Sequence, residues 1–284
     1  MGNSPQDALL FGIVSVALTA FALTGLCRVS RLGVAWSGSI IPAAFLAAYV
    51  VAYNKVPAFP PIGAANKVFF IALAGALVGL AADLAGRPRL AALLLLIQPL
   101  AAALYIGQSR LGEAPLEILV AAATGVGVMI LLRREMGGTA AEDGMKRGLL
   151  LAIASLGFAP IALLGASSTS LQLCVIFAVA VLATLPWSIG TEDDPFGTSA
   201  FLGGAGGIIS VVYAVTLITR KSDLLALATL GLIFFVPEVS RRMQWLAGFQ
   251  GRLTRLMGFA FLCAIPAACA VTIAIFSYGS SFPI

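Results

Sequence analysis

An acidic run lies in the second half of the chain, in a stretch with few other charges. Its members are Glu192, Asp193 and Asp194. Neighbouring carboxylates can bind Mg²⁺ together with phosphate groups, and Glu142 with Asp143 forms a second acidic pair. Neither group has the DxxxD or DDxxD spacing that places two carboxylates on one face of a helix. We therefore interpret the run as a loop that forms a gate or contacts a partner, and we predict no metal site.

Two prolines interrupt apolar runs that otherwise have the character of helices. Pro99 follows Gln98 at the centre of LLLLIQPLAAALY (93–105), and Pro237 with Glu238 ends a later run. Proline frees a backbone carbonyl inside a helix, and such breaks often surround solute or ion sites within membranes. We therefore take these four residues as candidates for substrate or ion binding. The alternatives are an interhelical hydrogen bond for Gln98 and, for Glu238, an ion pair with the arginines three and four residues further on.

Asp83 is the fifth binding candidate, because it is an acid near the end of an apolar run. Gly75, Gly79 and Asp83 recur every four residues and so share one face of a helix. Such a stripe lets a second helix approach closely and turns the acid toward the interior, where a carboxylate is costly and usually functional. The alternative, which we favour, is an ion pair between Asp83 and Arg87 one turn further on.

Chemistry that needs imidazole is excluded, because the chain contains no histidine. This removes Ser-His-Asp and Cys-His catalysis, and also metal ligation by histidine. The four cysteines lie in or beside apolar runs without CxxC spacing, so we predict neither disulfides nor thiolate metal sites. They are Cys27, Cys174, Cys263 and Cys269. We accordingly expect no cofactor.

The elements that carry the candidate residues are strongly apolar. Of the 284 residues, 60% are hydrophobic and 10% are charged, and the mean hydropathy is +1.04. A soluble domain of this size cannot bury so much apolar surface, and the apolar runs do not alternate as barrel strands would. We predict an all-α polytopic membrane protein, a single membrane domain over 1–284, with about ten transmembrane helices. Their predicted ranges are 8–27, 32–53, 68–85, 90–106, 116–132, 148–164, 171–187, 200–219, 224–238 and 256–278.

The basic residues predict the orientation of these helices. Of the 17 Lys and Arg residues, twelve fall in one set of alternate loops and five in the other. By the positive-inside rule the richer set faces the cytoplasm, so both termini lie on the non-cytoplasmic side of a prokaryotic-type inner membrane. Because the basic residues are scattered among loops, nucleic-acid binding is not expected. The stretch 239–256 has apolar residues at helical spacing and four arginines, which predicts an amphipathic helix on the cytoplasmic surface.

Two pairs of segments indicate an internal repeat. Residues 8–30 match residues 148–170 at eight of 23 positions, and the loop PPIGAA is similar to the loop DPFGTS. The loop motif consists of Pro61, Gly63, Pro195 and Gly197. We therefore predict repeat halves 1–140 and 141–284. Because five helices per half is an odd number, the two halves must be inverted relative to each other.

These features favour a secondary transporter or permease for an unidentified small solute, because inverted repeats and matched helix breaks are common in such proteins. The alternative is a non-catalytic subunit or scaffold of a larger membrane complex, with a membrane-protein partner or a second copy of itself. Short loops and small-residue packing faces suit that role equally well. A second alternative is an enzyme that acts on a lipid or diphosphate at the cytoplasmic face through the acidic groups. In each case the lipid bilayer is a partner.

Overall fold

The architecture is all-α, as the sequence predicts. The computed structural model describes residues 5–30, 32–53, 55–61, 63–165, 167–189, 194, 196–243 and 251–278. Helix accounts for 86% of the structure, and no strand occurs among the described residues. Of the predicted site residues, Glu192, Asp193 and Pro195 lie outside the described part of the chain, as does the centre of the predicted amphipathic stretch (244–250).

Ten helices occur within the described residues. They are α1 (Pro5–Val29), α2 (Val34–Tyr53), α3 (Ala64–Leu84), α4 (Pro88–Gly107), α5 (Pro115–Arg133), α6 (Ala140–Leu164), α7 (Ser168–Thr184), α8 (Ala200–Thr219), α9 (Leu224–Arg242) and α10 (Arg252–Tyr278). In the part of the chain that the structure describes, nine of them are long and apolar enough to cross a membrane. The exception is α2, whose apolar stretch among these residues, Ala35–Ala47, is shorter. The chain is therefore a multi-pass membrane protein.

Local sequence explains where several helices begin. Pro88 and Pro115 occupy the first turns of α4 and α5, where a missing backbone N–H costs nothing. The Thr139 side chain accepts a hydrogen bond from the backbone N–H of Glu142 and so caps α6. The predicted start of this helix at residue 148 is wrong by two turns. The charged residues of the first two turns, which suggested a loop, are buried in the helix because they pair with one another and with other segments.

The other helices enclose α8, so its residues face the interior of the bundle. Of its most apolar 18 residues 78% are buried, the largest share among the nine long helices of the described chain. It packs against α2, α3, α4 and α7. Large apolar side chains on the outer helices point outward, such as Phe11, Leu116 and Phe276, which are 67%, 73% and 83% exposed. A surface of this kind is consistent with contact with bilayer lipid.

The winding of α8 is irregular. Its ends, Ala200–Ala205 and Ala214–Thr219, form wide π-helical turns, and a regular α-helical stretch, Gly206–Tyr213, lies between them. Glycines at 203, 204, 206 and 207 remove side chains from this part of the helix. Wide turns of this type leave backbone groups less well paired and frequently occur at functional sites.

Candidate functional site

A close backbone contact at the candidate site joins α3 and α8. A Cβ atom added to Gly75 would lie 2.4 Å from the Leu202 carbonyl oxygen, and one added to Gly79 would lie 2.5 Å from the Ser199 Cα. Only a hydrogen atom fits at either position, because the obstructing atoms are backbone. The stripe of small residues on α3 therefore allows α8 to approach, and it brings the backbone of α8 within hydrogen-bond distance of α3 side chains.

Asp83 caps α8 from the neighbouring helix. Its Oδ1 accepts a hydrogen bond from the Thr198 N–H at 2.9 Å, and its Oδ2 accepts one from the Ser199 N–H at 3.0 Å. Gly197 leaves room for the carboxylate, because a Cβ there would lie 2.8 Å from Oδ2. The favoured ion pair with Arg87 is not among the contacts of the described residues. The first turn of α8 has free N–H groups and the positive end of the helix dipole, so the Asp83 carboxylate binds there and not to Arg87.

Asp194, the described member of the acidic run, ties a loop to α6. Its Oδ2 lies 2.5 Å from Arg147 Nη1, and its Oδ1 accepts a hydrogen bond from the Phe196 N–H at 2.8 Å. The Arg147 Nε in turn donates to the Leu132 carbonyl at the end of α5. Burial raises the pKa of Asp194 above its ordinary value, although Arg147 and the Phe196 N–H act in the opposite direction. This acid thus joins the loop before α8 to the α5–α6 corner.

The second acidic pair, Glu142 and Asp143, is also occupied. Glu142 is 4% exposed and lies between Lys146 at 3.1 Å and Arg255 at 3.0 Å. Asp143 accepts hydrogen bonds from the backbone N–H groups of Met136 and Gly138, each at 2.8 Å. In the part of the chain that the structure describes, no three residues of the metal-binding types come together. These carboxylates stabilise the α5–α6 corner and its contact with α10.

Gln98 carries polar atoms that the protein does not satisfy. Its Nε2 and Oε1 are both buried and have no hydrogen-bond partner among the described residues. The amide lies directly on the backbone of α8, because a Cβ added to Gly206 would come within 2.2 Å of Nε2. The adjacent Pro99 is buried in the contact between α4 and α5, opposite Gly125. The sequence predicts a break at Pro99, whereas α4 continues as one helix through this residue, and Gln98 on it faces the glycine-rich stretch of α8.

Tyr213 is a second unsatisfied polar group in the same helix contact, and the sequence interpretation missed it. Tyr213 is 3% exposed, and its hydroxyl has no hydrogen-bond partner within the described chain. The hydroxyl fills the space beside Gly125, where an added Cβ would clash with it. A tyrosine inside an otherwise apolar helix was the available signal, because a buried hydroxyl normally finds a partner. Gln98 and Tyr213 thus both lie between α4, α5 and α8.

Lys67 is a buried cation at the opposite end of α3 from Asp83. It is 6% exposed, its Nζ donates to the Tyr105 carbonyl at 2.8 Å, and it lies 5.0 Å from the centre of the Tyr105 ring. Among the described residues, no carboxylate lies within ion-pair distance of it. The sequence interpretation had placed this residue in a loop. A carbonyl and an aromatic face therefore stabilise its charge.

Two cavities lie at the Asp83 end of the bundle, with volumes of about 420 and 400 Å³. The first is lined by Asp83, Arg87, Arg133 and the start of α8, and the second by apolar residues of α4 and α5 together with Arg133 and Arg134. Leu95 and Arg133 line both, so the two cavities are neighbours. Gln98 and Tyr213 line neither of them.

No known family model, curated protein or solved structure matches this chain. The chemistry of the site therefore has to be inferred from its own geometry. At the centre the described residues provide an amide, a phenol and backbone groups of α8, which are neutral hydrogen-bond donors and acceptors. Such groups can bind a polar solute or coordinate an ion without ionising themselves.

The break at Pro237 is not part of this centre. Pro237 begins the last turns of α9, where Glu238 pairs with Arg241 at 3.6 Å and Arg242 at 3.2 Å, and the Glu238 side chain is 53% exposed. These are the ion pairs that the spacing suggested. The main neighbours of α9 are α10 and α6, whereas α4 packs on α3, α5 and α8. Of the predicted loop residues, Pro61 is buried, and Gly63 and Gly197 directly precede α3 and α8.

Proposed function

We propose that this protein is a secondary transporter or permease for a small polar solute, and that Gln98 and Tyr213 lie on the route. The observation that supports this is the pair of buried, unsatisfied side chains between α4, α5 and α8. An amide or hydroxyl buried without a partner costs about 1 to 3 kcal/mol in proteins. A protein that carries this cost at two neighbouring positions has a use for the groups, and a passing solute would satisfy them.

The irregular winding of α8 also supports a transport route that changes its conformation. Gln98 faces Gly206, where the first π-helical segment of α8 ends, and Tyr213 lies just before the second. A change of one hydrogen-bond register at either segment would rotate the middle of the helix relative to α4. Transport requires such alternative arrangements, because the site must face each side of the membrane in turn.

The predicted inverted repeat belongs to the same proposal. The loops that contain Gly63 and Gly197 precede α3 and α8, and these two helices pack on each other. Equivalent helices of an inverted repeat often meet in this way near the axis that relates the halves. We also propose that the end with Asp83 and Arg133 faces the cytoplasm of a prokaryotic-type inner membrane, on the distribution of basic residues.

The second candidate function is that of a non-catalytic subunit in a larger membrane complex. One observation favours it: α8 packs closely on α3 and α4, because Cβ atoms added to Gly75 and Gly206 would lie within 2.4 Å of atoms of the facing helix. A closely packed centre is what a scaffold would show. The enzyme alternative has no comparable support, because Glu142, Asp143 and Asp194 all bind protein partners.

Water access to residue 98 distinguishes the two candidates. We would replace the four native cysteines, introduce Gln98→Cys, and treat reconstituted vesicles with a charged methanethiosulfonate reagent. The cysteine thiolate, which forms in water and not in hydrocarbon, attacks the reagent and displaces methanesulfinate, so that a mixed disulfide forms. The matched control is Leu100→Cys on the same helix, whose native side chain is 40% exposed toward the outside of the bundle.

A transporter is expected to react at residue 98 at least about ten times faster than at residue 100, because the route fills with water in one of its states. Solutes that slow the reaction at residue 98 would then identify the substrate class. Equal, slow labelling of both variants, with full labelling after denaturation, would refute the transport route. Isolation of a stoichiometric partner from native membranes would then favour the scaffold.

A further inference from the structure

The two cavities at the Asp83 end are neighbours that share Leu95 and Arg133, and together they make a depression with a charged part and an apolar part. The charged part is lined by Arg87 and Arg133, and the apolar part by Leu96, Met129 and Ile130. A ligand that fills both must combine an anionic group with a hydrocarbon portion.

Within the described part of the chain, the arginines of this depression are not paired with a carboxylate. Arg87, Arg133 and Arg134 form no ion pair among the described residues, whereas Arg147, Arg220 and Arg255 all do. One acid, Asp83, also lines the charged part. Both of its oxygens accept hydrogen bonds from the backbone of α8, and it forms no ion pair with either arginine among the described residues.

The position of the depression fits the membrane surface. Arg87 immediately precedes α4, and Arg133 is the last residue of α5, so the two arginines lie at the same end of adjacent antiparallel helices. The apolar part runs from there along the groove between these helices. Leu96 and Ile130 are 39% and 44% exposed, so this wall is open on the side of the bundle that meets lipid. Phosphate groups of lipids lie at the level where transmembrane helices end.

We infer that this depression binds an anionic phospholipid of the adjoining leaflet. The phosphate and an anionic headgroup contact Arg87 and Arg133, with Arg134 close by, and one acyl chain follows the groove past Leu96 and Ile130. Basic pockets between helices select anionic headgroups in this way. A free inorganic anion would occupy the charged part alone. This inference is independent of the transport route, because Gln98 and Tyr213 do not line the depression.

The headgroup is tested on the purified full-length protein by titrating the thermal unfolding midpoint with phosphatidylglycerol in mixed micelles. We expect phosphatidylglycerol to raise the midpoint and phosphatidylcholine to have little effect. Arg133→Gln should weaken the apparent affinity for phosphatidylglycerol by about fivefold. One arginine near an anionic lipid contributes about 1 kcal/mol, which corresponds to this change in the dissociation constant. Arg89→Gln is the control, because Arg89 is exposed two residues from Arg87 and lines neither cavity.

The groove is tested separately by filling it. Ile130→Trp should reduce the lipid response, whereas Leu93→Trp, at an exposed α4 position outside both cavities, should preserve it. Native mass spectrometry would count bound lipid even if a variant is less stable. Equal effects of the two lipids, or an unchanged response in Arg133→Gln, would overturn the proposal. Stabilisation by inorganic phosphate that equals that of phosphatidylglycerol would show a free-anion site instead.

Discussion

The start of α8 and its middle differ in how the protein treats polar groups. At the start, Asp83 accepts two backbone hydrogen bonds and Asp194 pairs with Arg147, so the described carboxylates there have partners. In the middle, Gln98 and Tyr213 are neutral, buried and without hydrogen-bond partners. The same helix thus has a satisfied, charged end and an unsatisfied, neutral centre. The charged residues, which attract notice first in a sequence, have structural roles here.

The physical reason for the difference is the cost of burial. A carboxylate without a partner in an apolar environment costs far more than an amide or a hydroxyl, so a charged group must be paired if it is to remain. An unpaired amide costs little enough to be kept where a ligand can use it. The comparison therefore predicts that substitutions at the start of α8 destabilise the fold, and that those in the middle affect function.

The largest expected effect is that of Asp83→Ala. The substitution leaves the Thr198 and Ser199 N–H groups without their carboxylate acceptor. We expect a loss of about 3 kcal/mol in the free energy of unfolding, since hydrogen bonds to charged groups contribute about 1.5 to 3 kcal/mol each. The measurement is denaturant or thermal unfolding in detergent. Glu238→Ala is the control, because its exposed carboxylate should contribute below about 1 kcal/mol. Equal losses in both variants would contradict the capping role.

Gly79→Ala tests whether the close approach of α3 and α8 is needed for this cap. The added methyl would meet the Ser199 backbone at 2.5 Å, so one helix must move. Overpacking of this kind costs about 1 to 3 kcal/mol. Gly127→Ala is the matched control in α5, where nothing lies within 4 Å of the added atom, and it should be neutral or slightly stabilising. The same unfolding assay compares them, and a loss in Gly127→Ala as large as in Gly79→Ala would disprove the steric explanation.

Composition and the length of the apolar runs predicted the fold class, and helical periodicity predicted the stripe of small residues on α3, because both depend on residues close in sequence. The partner of Asp83 could not be predicted in the same way. Asp83 and Ser199 are 116 residues apart, and Arg87 was the nearest charge along the chain. The start of α6 was wrong for the same reason, since Arg147 finds its partner Asp194 47 residues further on.

The site was predicted only in part. Proline and glutamine next to each other in an apolar run indicated Gln98, because both disturb a membrane helix. Tyr213 and Lys67 were missed, since a single tyrosine within an apolar run or a lysine beside one is common in sequence, and only the packing shows that each is buried. Pro237 has the same sequence signal as Pro99, yet its helix packs on α10 and α6, away from the α4–α8 contact.

A smaller effect is expected at Asp223, an acid that caps α9 near the opposite end of the bundle. Asp223 accepts hydrogen bonds from Leu225 and Ala226 N–H at 2.8 and 3.2 Å, and bonds from Ser277 and these N–H groups lower its pKa. Asp223→Ala should cost about 1 kcal/mol at pH 7. A carboxylate whose pKa is lower in the folded state than in the unfolded state stabilises the fold at pH values above the unfolded-state pKa. This stabilisation is lost as the pH falls through the folded-state pKa.

The measurement for Asp223 is the difference in unfolding midpoint between wild type and Asp223→Ala across pH. The difference should be constant from pH 7 down to the ordinary aspartate range near 4, and should then shrink. Asp223→Asn is the control, because its amide oxygen still caps the helix but carries no charge that responds to pH. A difference that instead grows toward low pH would show that the carboxylate is not what stabilises α9.

The last prediction concerns the unsatisfied centre, where the expected change in stability is the smallest and has the opposite sign. Gln98→Met and Tyr213→Phe keep the shape of each side chain and remove polar atoms that have no partner. Each should leave the free energy of unfolding unchanged or raise it by up to about 1 kcal/mol, because replacing an unpaired buried polar group by an apolar one is neutral or favourable. If the groups serve a solute, the same variants should abolish solute protection in a thiol-labelling experiment at Ser210→Cys, a change of similar size at a buried position one turn after Gly206 on the same face of α8. A loss of stability comparable with that of Asp83→Ala would mean that the amide and the phenol are structural, and the contrast between the two parts of α8 would fail.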